Sequence, residues 1–250
     1  MPRFFMEHVD LTASTVTITG RDAEHIKVLR MREGERLTIC NGQGTDLQCV
    51  LTHSDGKTAY ADVTAAVPSA AEPSVAVHIF AGLAKGERTD FVVQKCTELG
   101  ATDIHLFHCD RCVVRLDPKK GADKKLERWQ RIAEEAAKQS GRGIIPQVYY
   151  HDSYAATLEE ASRWDLKLFL YETGDRISLR TAISQAEGCR SAAVITGPEG
   201  GFTPEEAEAA RNAGFAVCAM GPRILRCETA PLIPLTAILY ETGNMNSVYK

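Results

Sequence analysis

The chain has 250 residues, of which 44% are hydrophobic and 25% are charged. This composition is typical of a globular protein with one or two domains, and it excludes a disordered or fibrous chain. The sequence contains no run of about 18 apolar residues and no apolar signal core, so we expect a cytoplasmic protein without a membrane partner. The eight cysteines are irregularly spaced, which indicates reduced thiols and no disulfides.

Residues 1–70 have the pattern of a small β-rich domain. Short segments rich in β-branched residues alternate with glycines, as a compact β-barrel requires. The predicted strands are 15–19, 36–40, 46–52 and 58–66. A short predicted helix around His25 interrupts them, and a histidine in such a helix more often packs or caps than catalyses.

A second domain is predicted over residues 74–250, after a linker at 66–74 that is rich in alanine, proline and serine. Strands and helices alternate along this domain, which predicts an α/β fold with a mostly parallel sheet. The predicted strands are 75–81, 104–107, 166–171, 192–196 and 216–220, and the predicted helices are 89–99, 122–139, 179–186, 204–213 and 230–242. Thr203 and Glu206 form a capping-box pattern at the start of one helix, and Gly214 ends it.

The segment from His105 to Cys112 places two histidines and a CxxC pair within eight residues. A zinc site usually takes two well-separated pairs of ligands, and the sequence has no second CxxC and no HxxxH. We therefore predict that the protein holds no metal. A thioredoxin-like redox role is also disfavoured, because that CxxC begins a helix whereas a charged loop follows here.

The most basic region runs from Arg111 to Arg142 and carries ten lysines and arginines. The net charge of the whole chain is −4, which argues mildly against nucleic acid because phosphate neutralisation drives such binding. The region is either a nucleic-acid surface or the solvated face of a helix, since Glu127, Glu134 and Glu135 are interspersed. Composition alone leaves both interpretations open.

Two glycine-rich loops near the C-terminus are the strongest functional signal. The first loop, residues 196–201, packs three glycines and a proline into five residues, so that bare backbone can approach a ligand closely. The second loop, residues 220–230, places arginines and a glutamate beside apolar Ile224 and Leu225, which suits a ligand with a flat apolar part and charged ends. Each loop follows a predicted strand, where open α/β sheets bind ligands. The pair predicts a nucleotide-like ligand, although either loop alone could be an ordinary turn and neither is a known phosphate motif.

The sequences GPEGGF at 197–202 and MGPRILRCETA at 220–230 resemble the signature of the SPOUT-class RNA methyltransferases, in particular the RsmE family. This family methylates ring N3 of a uridine in small-subunit ribosomal RNA. The resemblance covers the whole chain, through Pro2-Arg3-Phe4, His25 with Val28-Leu29-Arg30, Gln94-Lys95 with Glu98-Leu99-Gly100, and Glu135-Ala136-Ala137 with Gln139-Ser140-Gly141-Arg142. It departs at Met220, Cys227, Pro231 and Pro234, none of which removes a glycine or arginine of the signature.

The resemblance implies an N-terminal PUA-like RNA-binding β-barrel and a C-terminal α/β domain tied in a trefoil knot. Sequence rules alone would argue against a knot, since threaded chains are rare. The resemblance further implies that the cofactor is S-adenosyl-L-methionine and that the enzyme is a homodimer. Its implied partner is the small-subunit (16S) ribosomal RNA, free or in an assembly particle.

The implied site residues fall into three groups. Arg226 is the candidate stabiliser of a uridine anion. Glu199 and Glu228 are candidate general bases, although each could equally cap a helix or pair with an arginine. The candidate cofactor-binding residues are Leu170, Tyr171, Glu172, Thr196, Gly197, Pro198, Gly200, Gly201, Met220, Gly221, Ile224 and Leu225. The candidate RNA-binding residues are Arg3, His25, Arg30, Arg32, Arg111 and Arg142.

Two alternative functions stay open at this point. One is a non-catalytic RNA-binding protein of the same fold, which would bind RNA but not S-adenosylmethionine. The other is a knotted methyltransferase that acts on another RNA position or on ribose. An ordinary doubly wound nucleotide-binding enzyme is disfavoured, because the phosphate-binding motifs of that class are missing.

Overall fold

The structure is a computed structural model that describes residues 1–6, 9–116, 121–184 and 188–246. Contacts between residues divide the chain into two units. The first unit consists of Met1–Glu72 and Ala137–Ile145, and the second of Pro73–Ala136 and Pro146–Lys250. The first unit is therefore made from two stretches of sequence that lie far apart along the chain.

The first unit is built on a five-stranded sheet. Its strands are β1 (Arg3–Phe5), β2 (Thr15–Thr19), β3 (Arg36–Cys40), β4 (Thr45–Ser54) and β5 (Thr58–Pro68), in the order β1-β3-β4-β5-β2. All pairings are antiparallel except that of β1 with β3. Alternate residues of β2, Val16 and Ile18, are buried in a core that also receives Ile26 of helix α1 (Gly20–Val28). The four predicted strands are confirmed, but β1 was not predicted.

A buried charge pair ties the second stretch of this unit to the first. Arg142 lies 2.7 Å from the carboxylate of Glu72, which also accepts hydrogen bonds from the backbone N–H groups of Gly143 (2.7 Å) and Ile144 (3.0 Å). The carbonyl of Gly143 accepts the backbone N–H of Gly44 at 3.0 Å. Strand β5 reaches residue 68, so the first residues of the predicted linker at 66–74 belong to a strand.

The second unit is built on a seven-stranded sheet in which every described pairing is parallel. Its strands are β6 (Ala76–Gly82), β7 (Asp103–Phe107), β8 (Gln147–His151), β9 (Leu166–Leu170), β10 (Ile177–Ser178), β11 (Ser191–Thr196) and β12 (Ala216–Ala219), in the order β10-β12-β9-β11-β6-β7-β8. Five consecutive residues of β11 are buried, as expected for a strand covered on both faces. The predicted parallel α/β sheet is confirmed, whereas β8 and β10 were not predicted.

Among the described residues, six helices lie wholly or mostly in the second unit. They are α2 (Arg88–Leu99), α3 (Ala122–Ser140), α4 (Tyr154–Ala161), α5 (Leu179–Ser184), α6 (Pro204–Asn212) and α7 (Leu232–Glu241). The capping box of α6 is confirmed, because Thr203 Oγ1 accepts the Glu206 N–H and the Glu206 carboxylate accepts the Thr203 N–H. Helix α4 was not predicted, and the last residues of the helix predicted at 179–186 lie outside the described residues.

Helix α7 begins later than predicted and accommodates both prolines of its segment. Pro231 is the N-cap and Pro234 lies in the first turn, where the backbone N–H groups have no partner within the helix. The two prolines therefore cost the helix no internal hydrogen bond. Within the described part of the chain, no helix combines the length and the apolarity needed to cross a lipid bilayer.

Candidate active site

A cavity of about 500 Å³ opens at the carboxyl ends of three neighbouring strands of the second unit. Leu170 ends β9, Thr196 ends β11 and Met220 directly follows β12, and all three line the cavity. Parallel α/β sheets bind their ligands at this edge, and the volume suits a small organic molecule. The two loops that the sequence singled out therefore meet at one ligand-sized space.

All the candidate cofactor-binding residues except Gly200 line this cavity, together with Arg226, Glu199 and Glu228. Gly200 instead packs against the side of Arg111. Six further lining residues are not among the candidate catalytic and cofactor-binding residues: Arg88, Arg176, Pro222, Arg223, Cys227 and Ala230. Four of these belong to the second loop, which the sequence already indicated as a ligand-binding loop.

The first loop is packed tightly against its surroundings. A side chain on Gly82, the last residue of β6, would place its Cβ 2.6 Å from the backbone nitrogen of Pro198. A Cβ on Gly197 would lie 3.1 Å from the ring of Phe202, and Gly201 combines a φ of 65° with a Cβ position 2.3 Å from the Glu172 carboxylate. Glycine is needed at these positions because neighbouring atoms occupy the space of a side chain.

Thr196 supplies a buried hydrogen-bonding group that has no partner within the described part of the chain. The residue is 1% exposed, lines the cavity, and its Oγ1 makes no hydrogen bond there. Buried hydroxyl groups in proteins are almost always hydrogen-bonded. The Thr196 hydroxyl is therefore available to bond a polar group of a ligand.

The second loop is open by contrast. Gly221 has a φ of 93°, and a Cβ there would meet nothing within 4 Å. Ile224 is 90% exposed, and Arg223 and Arg226 are exposed too. Among the described residues neither arginine side chain has an ion-pair partner, so the loop offers apolar groups and unpaired cations to the cavity.

The two glutamates of the site are both paired with Arg88 at the start of α2. Its Nη1 lies 2.5 Å from Glu199 Oε1, and its Nε lies 3.8 Å from Glu228 Oε2. Burial raises the pKa of Glu199, but the backbone N–H of Lys85 and the Arg88 guanidinium outweigh it and lower the pKa below its usual range. Both glutamates are therefore paired with an arginine, which is one of the two alternatives that the sequence left open.

The thiol of Cys227 lies beside Glu228, with Sγ 3.3 Å from Oε2. Burial is the largest cause that raises its pKa to about 12, and the neighbouring carboxylate adds to the effect. Cys227 is therefore a neutral thiol at physiological pH and not a nucleophile.

Four of the candidate RNA-binding residues are exposed. His25, Arg30 and Arg32 belong to the first unit, and Arg30 has a φ of 55°, in the left-handed region. Arg111 belongs to the second unit and donates from Nη1 to the carbonyl of Gly200 at 3.1 Å. All four keep an accessible polar group that a phosphate could approach.

The other two candidate RNA-binding residues are engaged inside the first unit. Arg3 pairs with Asp46 and donates to Ser69 Oγ at 3.0 Å, and its side chain is 16% exposed. Arg142 is 3% exposed and paired with Glu72. The Arg142 guanidinium is directed to Glu72 and not to solvent, and RNA contact by Arg142 stays a prediction.

The histidines near the CxxC pair form a hydrogen-bonded network that the sequence did not predict. Asp103 bridges His78 Nδ1 (2.8 Å) and His105 Nε2 (3.0 Å), and His105 Nδ1 lies 2.8 Å from His151 Nε2. Three of these residues, His78, Asp103 and His105, bring potential ligand atoms within 4.8 Å of one another. Burial raises the pKa of Asp103, but the two histidines outweigh it and lower the pKa. Two histidines thus hydrogen-bond the Asp103 carboxylate at the amino end of β7, away from the cavity edge, whereas the buried Nε2 of His78 has no hydrogen-bond partner among the described residues.

All eight cysteines are free thiols. Within the CxxC pair, the Sγ atoms of Cys109 and Cys112 are 3.5 Å apart. Cys112 also accepts the backbone N–H of Cys109 at 3.4 Å. The pair forms a turn beside Arg111, which rests on the first loop.

Comparison with known proteins identifies the family. The family model described as the RNA methyltransferase domain matches residues 71–239, and that of the RNA methyltransferase PUA domain matches residues 18–64. The chain is 37% identical to the ribosomal RNA small subunit methyltransferase E of Bacillus subtilis, with 97% of each chain covered. The chain belongs to the ribosomal RNA small subunit methyltransferase E family.

Other members of the methyltransferase E family agree with this assignment. The Mycobacterium bovis protein is 30% identical, with 94% of this chain and 90% of the relative covered. The crystal structure of the Neisseria gonorrhoeae methyltransferase E, bound to S-adenosylmethionine, is 32% identical with a TM-score of 0.82, covering 96% of this chain and 98% of that one. The predicted PUA-like N-terminal domain and parallel α/β C-terminal domain of this family are confirmed.

Proposed function

We propose that the protein is an S-adenosylmethionine-dependent methyltransferase that modifies ring N3 of a uridine in small-subunit ribosomal RNA. The observation that carries the proposal is the cavity where the first and second loops meet, with the buried Thr196 hydroxyl, which no described residue hydrogen-bonds, inside it. The same two loops bear the family motifs. The Neisseria gonorrhoeae relative, which is bound to S-adenosylmethionine, supports the choice of cofactor.

The residues of the cavity fit this cofactor in their chemistry. Leu170, Met220 and Leu225 supply apolar surface that would hold a flat purine ring. The bare backbone of residues 197–201 and the Thr196 hydroxyl would bond ring nitrogens and ribose hydroxyls. Bound there, the cofactor supplies an activated methyl group on a sulfonium.

Arg226 is the residue that we propose to act on the uridine. The N3 proton must leave at or before methyl transfer, so negative charge develops on the base and a nearby cation lowers the barrier. Arg226 lines the cavity and is exposed, and no described residue forms an ion pair with it. Its guanidinium is permanently charged, so it is available to stabilise this anion.

The two glutamates differ in their suitability as proton acceptors. Glu199 is held by Arg88 and by the Lys85 N–H, which lower its pKa and make it a weak base at neutral pH. Glu228 lies farther from Arg88, at 3.8 Å. Glu228 is therefore the candidate that remains for accepting the N3 proton.

We propose that exposed basic residues in each of the two units contact the RNA. They are His25, Arg30 and Arg32 in the first unit and Arg111 in the second. Such contacts position RNA without reading its sequence. From the family resemblance we also propose a trefoil knot, a homodimer and a cytoplasmic location.

Mass spectrometry of nucleosides from 16S ribosomal RNA tests the proposal directly. RNA from cells that lack the gene should lose 3-methyluridine, and purified protein with S-adenosylmethionine should restore it. Loss of another methylated nucleoside would move the activity to a different position or to ribose. If calorimetric titration detects no binding of S-adenosylmethionine, the result favours the non-catalytic RNA-binding alternative.

A further inference from the structure

We propose that Arg88 is a positioning residue that joins the two loops of the cavity and sets its affinity for the cofactor, an inference that rests on the proposed function. Arg88 is the first residue of α2 and lines the cavity. Its guanidinium contacts Glu199 in the first loop at 2.5 Å and Glu228 in the second loop at 3.8 Å. One side chain from a third element thus connects the two loops that form the site.

The position of Arg88 is not explained by the stability of its own helix. A cation at a helix N-terminus opposes the helix dipole, so the first turn normally favours Asp or Glu. The N-cap residue Glu87 provides no compensating side-chain hydrogen bond. The favourable interactions of Arg88 are instead with the carboxylates of the two loops. Arg88 therefore stabilises the loops and not its own helix.

The turn before α2 reinforces this arrangement. The Glu199 carboxylate accepts the backbone N–H of Lys85 at 2.8 Å, in addition to its bond from Arg88. Backbone N–H groups at the start of a helix attract anions. The first loop is therefore held at the amino end of α2 by two separate donors, of which only Arg88 also reaches the second loop.

Loss of Arg88 would leave two carboxylates without their shared cation. The side chains of Glu199 and Glu228 are only 26% and 18% exposed, so water screens their repulsion incompletely. The two loops would separate or the carboxylates would reorient, and either change alters the walls of the cofactor cavity. Arginine suits this role better than lysine, because its planar fork presents donors in two directions.

This role differs from that of Arg226 in a measurable way. Arg88 is neutralised by its partners, so it does not add a free positive charge for the uridine anion. Its removal should raise the Kd for S-adenosylmethionine by a larger factor than it lowers kcat at saturating cofactor, because Arg88 also contacts Glu228, the proposed proton acceptor. A residue that stabilises the transition state would show the opposite pattern.

Calorimetric titration of the full chain with S-adenosylmethionine tests the inference. Arg88→Ala should weaken binding roughly tenfold, and Arg88→Lys should lose less because it keeps the charge. The control is Arg163→Ala, which removes an exposed ion pair with Glu160 on α4 and should bind as wild type does. Circular dichroism checks that each variant is folded, and Arg88→Lys serves if Arg88→Ala does not fold.

A rescue variant separates positioning from a merely structural role at the start of α2. Combining Arg88→Ala with Glu199→Gln removes the repulsion between the carboxylates, so the double variant should bind the cofactor more tightly than Arg88→Ala alone. A damaged helix start would not be rescued in this way. The inference is overturned if folded Arg88 variants bind S-adenosylmethionine like wild type. It is also overturned if the loss of binding free energy in the double variant equals the sum of the losses in the two single variants. If wild type itself does not bind S-adenosylmethionine, the proposed function fails first.

Discussion

The first and second loops both form the cavity, but they are built in opposite ways. In the first loop, a Cβ on Gly197, Gly200 or Gly201 would lie 2.3 to 3.1 Å from the nearest neighbouring atom. In the second loop, a Cβ on Gly221 would meet nothing within 4 Å, and Ile224 is 90% exposed. The first loop is thus held in place by packing, whereas the second is free to meet a ligand.

This contrast indicates a division of work within the site. A packed loop presents backbone groups in a fixed geometry, which suits the binding of an invariant cofactor. An open loop whose arginines have no ion-pair partner among the described residues suits the charge that develops on the substrate. We therefore expect substitutions in the first loop to change cofactor binding, and substitutions in the second to change turnover.

The largest expected effect is that of Arg226→Ala on turnover. Removing a group that stabilises developing charge typically costs roughly 100-fold to 1000-fold in kcat. Binding of S-adenosylmethionine should change little, because the interaction is made mainly in the transition state. Methylation of small-subunit particles at saturating cofactor, with calorimetry alongside, measures both quantities. Arg223→Ala is the matched control and should lose less, and equal losses in kcat and affinity would make Arg226 a binding residue.

Gly82→Ala should give the next largest effect, on cofactor affinity. The new Cβ would lie 2.6 Å from the backbone nitrogen of Pro198, so the first loop must shift. We expect binding of S-adenosylmethionine to weaken by about 10-fold to 100-fold, equivalent to roughly 1 to 3 kcal/mol. Gly86→Ala is the control for steric overlap, because a Cβ there meets nothing within 4 Å, although the φ of 71° adds backbone strain. Wild-type affinity in folded Gly82→Ala would show that the loop does not depend on this packing.

Gly221→Ala should have a smaller effect on the same measurement. Its φ of 93° strains any side chain, but there is no steric overlap and the exposed loop can relax. Affinity should fall by no more than about fivefold. A leucine at the same position should behave almost like alanine, since the space is open and leucine is not branched at Cβ. A steep further loss from alanine to leucine would mean that the second loop is as tightly packed as the first.

Cys112→Ser should have the smallest effect. Serine can accept the backbone N–H of Cys109 that the thiol accepts at 3.4 Å, so the turn beside Arg111 should persist. Cys109→Ser and Cys112→Ser should both fold and methylate nearly normally, and metal analysis of the wild type should find no stoichiometric zinc. One zinc per chain would contradict the prediction made from the sequence.

The sequence predicted features that depend on neighbouring residues. The capping box of Thr203 and Glu206 could be predicted from the sequence because its two residues lie three positions apart. The two loops could be predicted because glycine and proline indicate a turn within a few residues. Strand β1 was missed because it has three residues and is defined by its pairing with β3, which lies more than thirty positions away.

The features of the site that the sequence did not predict depend on contacts between distant parts of the chain. Arg88 and Glu199 are 111 positions apart, so no local pattern connects them. Arg142 is an RNA-binding candidate from the family resemblance, and its ion pair with Glu72, 70 positions earlier, could not be predicted from the sequence. Charge is visible in a sequence, whereas the partner that neutralises it is visible only in the fold.

The composition of the first unit from two separate stretches has a consequence for biosynthesis. The carboxylate of Glu72 stays without the N–H groups of Gly143 and Ile144 until that segment has been translated. A nascent chain therefore cannot complete its N-terminal unit when the first seventy residues emerge from the ribosome. Completion must wait until Ile145 is free of the exit tunnel, by which time β6, β7 and α2 of the second unit have also been made.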